Sequence, residues 1–360
     1  MKEHQVIIVG AGPAGSACAK ALKEEEVDVL VIEKEKLPRH KTCSGVLFGE
    51  TQVLLEKYFG QLPPESVYCQ PKIIKASDIK EWSQEKGFSV YPFELPKEGL
   101  SFPTDYYNIW RNIFDHWLFK QSGAECVENC SLKSFSAEDD KVKITLSHRD
   151  KTPIESEKTL SQELSCSYLI GADGGNSKVR RLLDPSWSKE NPEMAVYQVY
   201  YYFSDRGNLK EDGWKVFLKP EISHGLCSVH QKDDLLALCI GWFKGSKLDD
   251  RMENFKTFLS DNFKVVFGKE ERVEGCVLRL SLPNLGSGRV ILTGEAGGFM
   301  YLNGEGISAA IDSGYRAGKA VAKAIKENSS AMDVYEKQTV DLLKHVNQCL
   351  ENMTFIAVAP

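Results

Sequence analysis

The feature that most constrains this chain lies in its first 33 residues. Val6-Ile7-Ile8-Val9 is an unbroken apolar run that leads directly into Gly10-Ala11-Gly12-Pro13-Ala14-Gly15. An all-apolar strand suits a parallel sheet covered on both faces. Pro13 to Lys23 then reads as a helix, and Val27 to Ile32 as a second strand ended by Glu33. In that setting Gly10 permits the turn, Gly12 lets a backbone approach a pyrophosphate, and Gly15 lets helix and strand close up. The N-terminus of the helix that opens at Pro13 offers unpaired N–H groups and partial positive charge to phosphates. Glu33 can accept hydrogen bonds from a ribose, and it disfavours a 2′-phosphate. The unit is a dinucleotide site.

Composition excludes several alternatives. With 360 residues, 42% hydrophobic and 27% charged, the chain has material for two or three folding units. Net charge is −6, without the basic surplus that a nucleic-acid partner asks for. The apolar runs are strand-length and Met1 to His4 leads into a strand, so neither a membrane span nor a signal segment is expected, and the expected location is cytoplasmic. The ten cysteines contain no C-x-x-C pair, and Cys126 and Cys130 have no matching partners elsewhere. No metal site is therefore expected, and most thiols read as reduced, small apolar residues.

Further along, Tyr106 to Lys120 has helical spacing, with Ile109, Ile113 and Trp117 on one face. Lys141–His148 and Thr159–Ile170 read as antiparallel strands around the polar loop Arg149 to Pro153. From Ala195 to Leu282 the pattern becomes β-rich: Val196–Phe203, Gly213–Leu218, Gly225–His230 and Leu235–Phe243, interrupted by an amphipathic helix over Asp249–Asn262. A strand over Arg289–Gly294, a long helix over Gly306–Glu327 and a last helix over Ala331–Asn352 complete the reading. The fold class expected is α/β: a Rossmann-like domain with an inserted antiparallel β-sheet domain and a C-terminal helix. The boundaries expected are 1–70, 103–190 and 283–330 for the nucleotide domain, 71–102 and 191–282 for the substrate domain, and 331–360 for the helical end.

Two later stretches exceed what a nicotinamide domain needs: Leu169-Ile170-Gly171-Ala172-Asp173-Gly174-Gly175, and Gly294-Glu295-Ala296-Gly297-Gly298. With the N-terminal glycines they resemble the three motifs of the flavoprotein hydroxylase superfamily. That resemblance implies FAD, with Asp173 and Gly174 near the pyrophosphate and Gly294 and Glu295 on the ribityl chain. Glu295 stands where the family usually has Asp. A narrower resemblance, to the geranylgeranyl reductase family, rests on three segments. They are Pro38-Arg39-His40-Lys41-Thr42-Cys43-Ser44-Gly45, Arg111-Asn112-Ile113-Phe114-Asp115-His116-Trp117-Leu118, and Asn303-Gly304-Glu305-Gly306-Ile307 with the Ala309 to Gly314 stretch behind it.

The resemblance implies an FAD-dependent oxidoreductase that reduces C=C bonds of a hydrophobic, polyprenyl substrate by hydride from reduced flavin. Cys43 is the candidate proton donor, or it packs or gates beside the flavin. The cofactor set comprises Gly10, Gly12, Pro13, Ala14, Gly15, Glu33, Lys34, Lys41, Cys43, Ser44, Gly45, Arg111, Asp173, Gly174, Gly294, Glu295, Gly304, Gly306 and Ile307. Lys41 is either a flavin or phosphate contact or a solvated charge. The start of the long helix at Gly304 to Ile307 is expected to aim N–H groups at the flavin pyrimidine edge. Tyr200, Tyr202, Trp214 and Phe217 are the substrate-wall candidates, against the alternative that such aromatics are plain core. His224 and His230 lie near that wall. The external electron donor is ferredoxin or NADPH, and membrane contact, if any, is peripheral. Two other functions stay open: a monooxygenase of an aromatic or natural product, and an electron carrier to quinone. The W-x-W-x-I-P signature of flavin halogenases is absent.

Overall fold

Ile7 and Ile8 point to opposite sides of one sheet, and each side has its own core. A computed structural model describes residues 2–91, 97, 99–148, 160–187, 193–209, 213–223, 227–243, 247–279, 281–301 and 304–352. Strand β1 (Lys2–Val9) runs parallel to β2 (Val29–Ile32) on one side and β11 (Leu160–Gly171) on the other. Val6 lies opposite both Val29 and Tyr168. Beyond β2 comes β8 (Glu125–Val127), and beyond β11 come β18 (Val290–Leu292) and β17 (Gly286–Ser287). The first half of β11 carries β10 (Val142–His148) and then β9 (Cys130–Ala137), both antiparallel.

Val6 and Ile8 pack with Ala14, Cys18 and Leu22 of helix α1 (Pro13–Glu24) and with Ala317 and Val321 of α6 (Ile307–Glu327). Ile7 and Val9 pack instead with Leu132, Val142, Ile144 and Leu146. Burial on both faces is why this strand shows no polar alternation, and each such side chain contributes about 2 kcal/mol. The Ala- and Gly-rich pattern of α6 has the same kind of cause: Gly314 and Gly318 rest on the backbone of Ala14 and Cys18.

A seven-stranded sheet forms the second layer, in the order β16 (Val266–Arg279), β12 (Glu193–Asp205), β15 (Leu235–Phe243), β14 (Cys227–Lys232), β13 (Lys215–Phe217), β5 (Lys80–Ser83) and β6 (Gly87–Val90). Helix α5 (Leu248–Phe263) covers one face, where Phe255, Leu259 and Phe263 meet Val199, Tyr201, Phe217, Leu238 and Ile240. The other face looks toward a three-stranded sheet of β3 (Val46–Leu47), β7 (Asp105–Ile109) and β4 (Tyr68–Lys75). Helices α2 (Gly49–Phe59), α3 (Arg111–Ser122) and α4 (Lys178–Leu183) fill the joins.

Two expected helices differ. Tyr106–Ile109 is strand, because Tyr106 and Tyr107 pair with Ile74 and Ile73 while Asn108 pairs with Val46; the helix starts only at Arg111. The C-terminal helix is two, α7 (Ala331–Gln338) and α8 (Val340–Glu351), with the break at Thr339, whose hydroxyl donates to Tyr335 O at 2.7 Å. Strand β16, rich in charge, has no counterpart in the sequence reading. The expected loop Arg149 to Pro153, Asn303 and His224 lie outside the described residues. Among the described residues no helix is long and apolar enough to cross a membrane.

Candidate functional site

Three glycine motifs far apart in sequence meet at the C-terminal edge of the parallel strands. Gly10, at φ +106°, is so close to Ala172 that a Cβ would lie 2.5 Å from its carbonyl oxygen. Gly294 packs on Ala14, and Gly175 packs on Glu295. Helix α1 begins at Pro13, so the N–H groups of Ala14 and Gly15 have no partner within the helix. A Cβ on Gly12 would meet only the Arg39 guanidinium, at 3.4 Å. Unpaired N–H groups, a side-chain-free Gly12 and a facing guanidinium make a cradle that fits a pyrophosphate.

Around that cradle runs a chain of buried charges. Glu33 accepts the Ala11 N–H at 3.0 Å through Oε2, and Arg39 Nε lies 3.3 Å from the same oxygen. Arg39 Nη1 reaches Asp115 Oδ2 at 3.2 Å, and Asp115 takes a two-pronged contact from Arg111 at 2.8 and 2.9 Å. Burial works against the Arg111 charge, yet the Asp115 carboxylate and the nearby Cys43 thiol hold its pKa above the ordinary arginine value. The path thus connects Glu33 to Cys43. Arg39 and Asp115, which have no separate role in the motif reading, join it in space.

Other candidates are placed as follows. Asp173 accepts from Ser177 Oγ at 2.5 Å and from the N–H groups of Lys178 and Val179 at 2.6 and 3.2 Å, so its carboxylate caps α4. Burial raises its pKa despite those donors. Gly174 follows it at φ +76°. Lys34 is exposed near Glu35, whereas Lys41 lies beside Cys276. Gly304, at φ +82°, and Gly306 lead into α6, where Ile307 is buried. The N–H groups of Ile307 and Ser308 do not stand free there: both donate to Glu305 Oε1 at 2.9 Å. The expected open helix end is therefore capped by its own neighbour.

The four aromatic candidates do not form one wall. Tyr200 is buried on the face toward Cys43, its hydroxyl 3.3 Å from Glu274 and its ring between Trp110 and Arg272. Trp214 lies on the same face, in a cluster with Val46, Phe48 and Tyr106. Phe217 lies on the opposite face, fully buried under α5, because the pleat turns alternate residues away. Tyr202 is 40% exposed. Beside Tyr200 and Trp214, the Cys43 side of the sheet carries the buried polar residues Gln198, Ser228, His230 and Lys232. Ser228, His230 and Lys232 stand at every second position of β14 and so share one side of the sheet. Burial, and then Lys232, pushes the His230 pKa down to about 3, so the ring is neutral. Among the described residues no group of His, Cys, Asp or Glu is arranged to hold a metal ion.

Comparison with known proteins follows the same lines. Residues 4–78 match the family described as pyridine nucleotide-disulphide oxidoreductase, and residues 111–253 match the FAD binding domain family. A Methanosarcina barkeri protein is 26% identical over 344 residues, covering 91% of this chain and 76% of that one. The crystal structure of a geranylgeranyl bacteriochlorophyll reductase-like protein from Thermoplasma acidophilum superposes with a TM-score of 0.78 at 18% identity, covering 99% of this chain and 87% of that one. Aklavinone-11 hydroxylase, solved with FAD and aklavinone, gives 0.71 at 19% identity, covering 97% and 68%. Fold, phosphate cradle and family matches define an FAD-dependent oxidoreductase, and FAD is its cofactor. Its fold is that of the flavoprotein hydroxylase-like enzymes.

Proposed function

We propose that this protein reduces C=C bonds of a hydrophobic, polyprenyl substrate. The observation that carries the reading is the placement of Cys43. Its thiol sits half-buried between Arg111 of the nucleotide domain and the Gln198–Tyr200 face of the second sheet. Reduced FAD supplies the hydride when bound. Gly12, Ala14, Gly15 and Arg39 bind the pyrophosphate, Glu33 holds a ribose, and Glu295 takes a ribityl hydroxyl. Cys43 gives a proton to the second alkene carbon and regains one from solvent, so the alkene gains two hydrogens while the flavin is oxidised. Close positioning of the alkene is what such chemistry requires. The whole-chain likeness to a geranylgeranyl bacteriochlorophyll reductase-like protein supports this choice of substrate.

A second reading, hydroxylation of an aromatic compound, is favoured by the polar set of Tyr200, Arg272 and Glu274 and by the likeness to aklavinone-11 hydroxylase. Anaerobic spectroscopy separates the two. Reduced enzyme mixed with a geranylgeranyl lipid, oxygen excluded, reoxidises its flavin if the protein is a reductase. A flavin that stays reduced until oxygen enters supports hydroxylation instead.

A further inference from the structure

Gln198, His230 and Lys232 are 1%, 3% and 1% exposed, although all three are polar. Burying such groups is costly unless each finds a partner, so their partners are informative. Gln198 Nε2 donates to the carbonyl of Cys43 at 3.2 Å. His230 Nε2 lies 3.0 Å from the carbonyl of Ser44; a carbonyl only accepts, so this nitrogen carries the ring proton. Lys232 Nζ donates to Asn108 Oδ1 at 2.7 Å and to Ile109 O at 2.8 Å. It also closes over Gly45, where a Cβ would lie 2.9 Å from it. Gly45 sits at φ +68°, its carbonyl accepts the Ile109 N–H at 2.8 Å, and its own N–H points to Cys43 Sγ at 3.4 Å. Three successive loop residues are each met by a different buried side chain of the second sheet.

We propose that Gln198, His230 and Lys232 are positioning residues that clamp the backbone from Cys43 to Gly45 and thereby set where the Cys43 thiol stands. Loop and sheet belong to different layers of the fold, so the clamp locks the thiol to the sheet that faces it. His230 stays neutral around pH 7, and its donor role does not change there. Its second nitrogen, Nδ1, is buried without a hydrogen-bond partner among the described residues, so the Ser44 contact is the ring's polar anchor there. The proposal rests on the reading of Cys43 as the group beside the reacting carbon, but it can be tested without substrate.

The test uses FAD-loaded protein and follows alkylation of Cys43 by iodoacetamide through peptide mass spectrometry. The other cysteines in the same sample serve as the reference, and flavin content and visible circular dichroism are recorded alongside. Losing one loop anchor in His230→Phe or Gln198→Leu changes the Cys43 rate about tenfold while the other thiols keep theirs. His230→Gln retains an N–H near the Nε2 position and restores the rate to within about twofold of wild type. An unchanged Cys43 rate in both disrupting variants overturns the proposal. So does a rise shared by all cysteines, which marks general loosening. If His230→Phe does not fold, Gln198→Leu alone decides by the same criteria. A clamp that passes in a protein that reduces no alkene contradicts the proposed function and leaves the clamp standing.

Discussion

The carboxylate of Glu295 fills the space that a side chain on residue 175 would need: a Cβ there would meet Oε1 and lie 2.6 Å from Cδ. The late motif thus keeps a carboxylate one methylene longer than the family's usual Asp by lying over a glycine of the central motif. Gly175→Ala forces the Glu295 side chain away and destabilises the protein by about 1–3 kcal/mol, with lower FAD retention. Shortening the carboxylate in Glu295→Asp relieves part of that cost. Thermal melts and flavin content of the two single variants and the double variant check the coupling; strictly additive effects contradict it.

Gly12→Val places a branched side chain between the phosphate cradle and Arg39, and the purified variant is expected to be colourless. Cys43→Ala lies outside the cradle, keeps its flavin, and slows turnover about a hundredfold or more through loss of the proton donor. A yellow Gly12→Val protein contradicts the cradle, and normal turnover in Cys43→Ala removes the thiol from the chemistry.

Asp115 pairs with both Arg39 and Arg111. Asp115→Ala leaves two largely buried guanidiniums without it and costs about 3–5 kcal/mol. Denaturant unfolding measures this directly. A loss below about 1 kcal/mol shows that the charge chain contributes no more than surface pairs do.

The glycine motifs and the α1 unit were legible because their chemistry is local: a turn, a phosphate cradle and a doubly covered strand each leave a short signature. Tyr106–Ile109 was misread because helical spacing alone cannot report that Tyr106 and Asn108 have strand partners far along the chain. Phe217 was placed in the substrate wall because aromatic content does not say which face of a strand is turned inward. The clamp at Cys43 was hidden for the same reason, since Gln198 and His230 meet adjacent carbonyls only once two domains pack. Glu305 shows the limit of motif reading at its sharpest, because its carboxylate accepts the Ile307 and Ser308 N–H groups of a helix start expected to face the flavin.

Acid should weaken the fold through two histidines. Burial, as the largest cause, pushes His230 down to about 3 and His345 down to about 4. An unfolded histidine titrates near about 6.5, so between these values the unfolded chain binds protons that the folded one does not. Their contribution is complete above about pH 6.5 and declines as pH falls toward the folded values, by up to about 1.4 kcal/mol per pH unit for each ring. Urea unfolding at about pH 7 and about pH 5 should show a smaller drop for His230→Gln than for wild type. Equal drops contradict the assignment.

The central claim is that this flavoprotein delivers a hydride and a proton to an isolated alkene. The measurement that meets it most directly is the mass of the product after reduced, FAD-loaded protein is mixed with a geranylgeranyl lipid under strict exclusion of oxygen. The account predicts a gain of two hydrogens for each double bond reduced, with one flavin oxidised per pair. An unchanged lipid mass, followed by insertion of an oxygen atom into an aromatic substrate once air and NADPH are supplied, would contradict it.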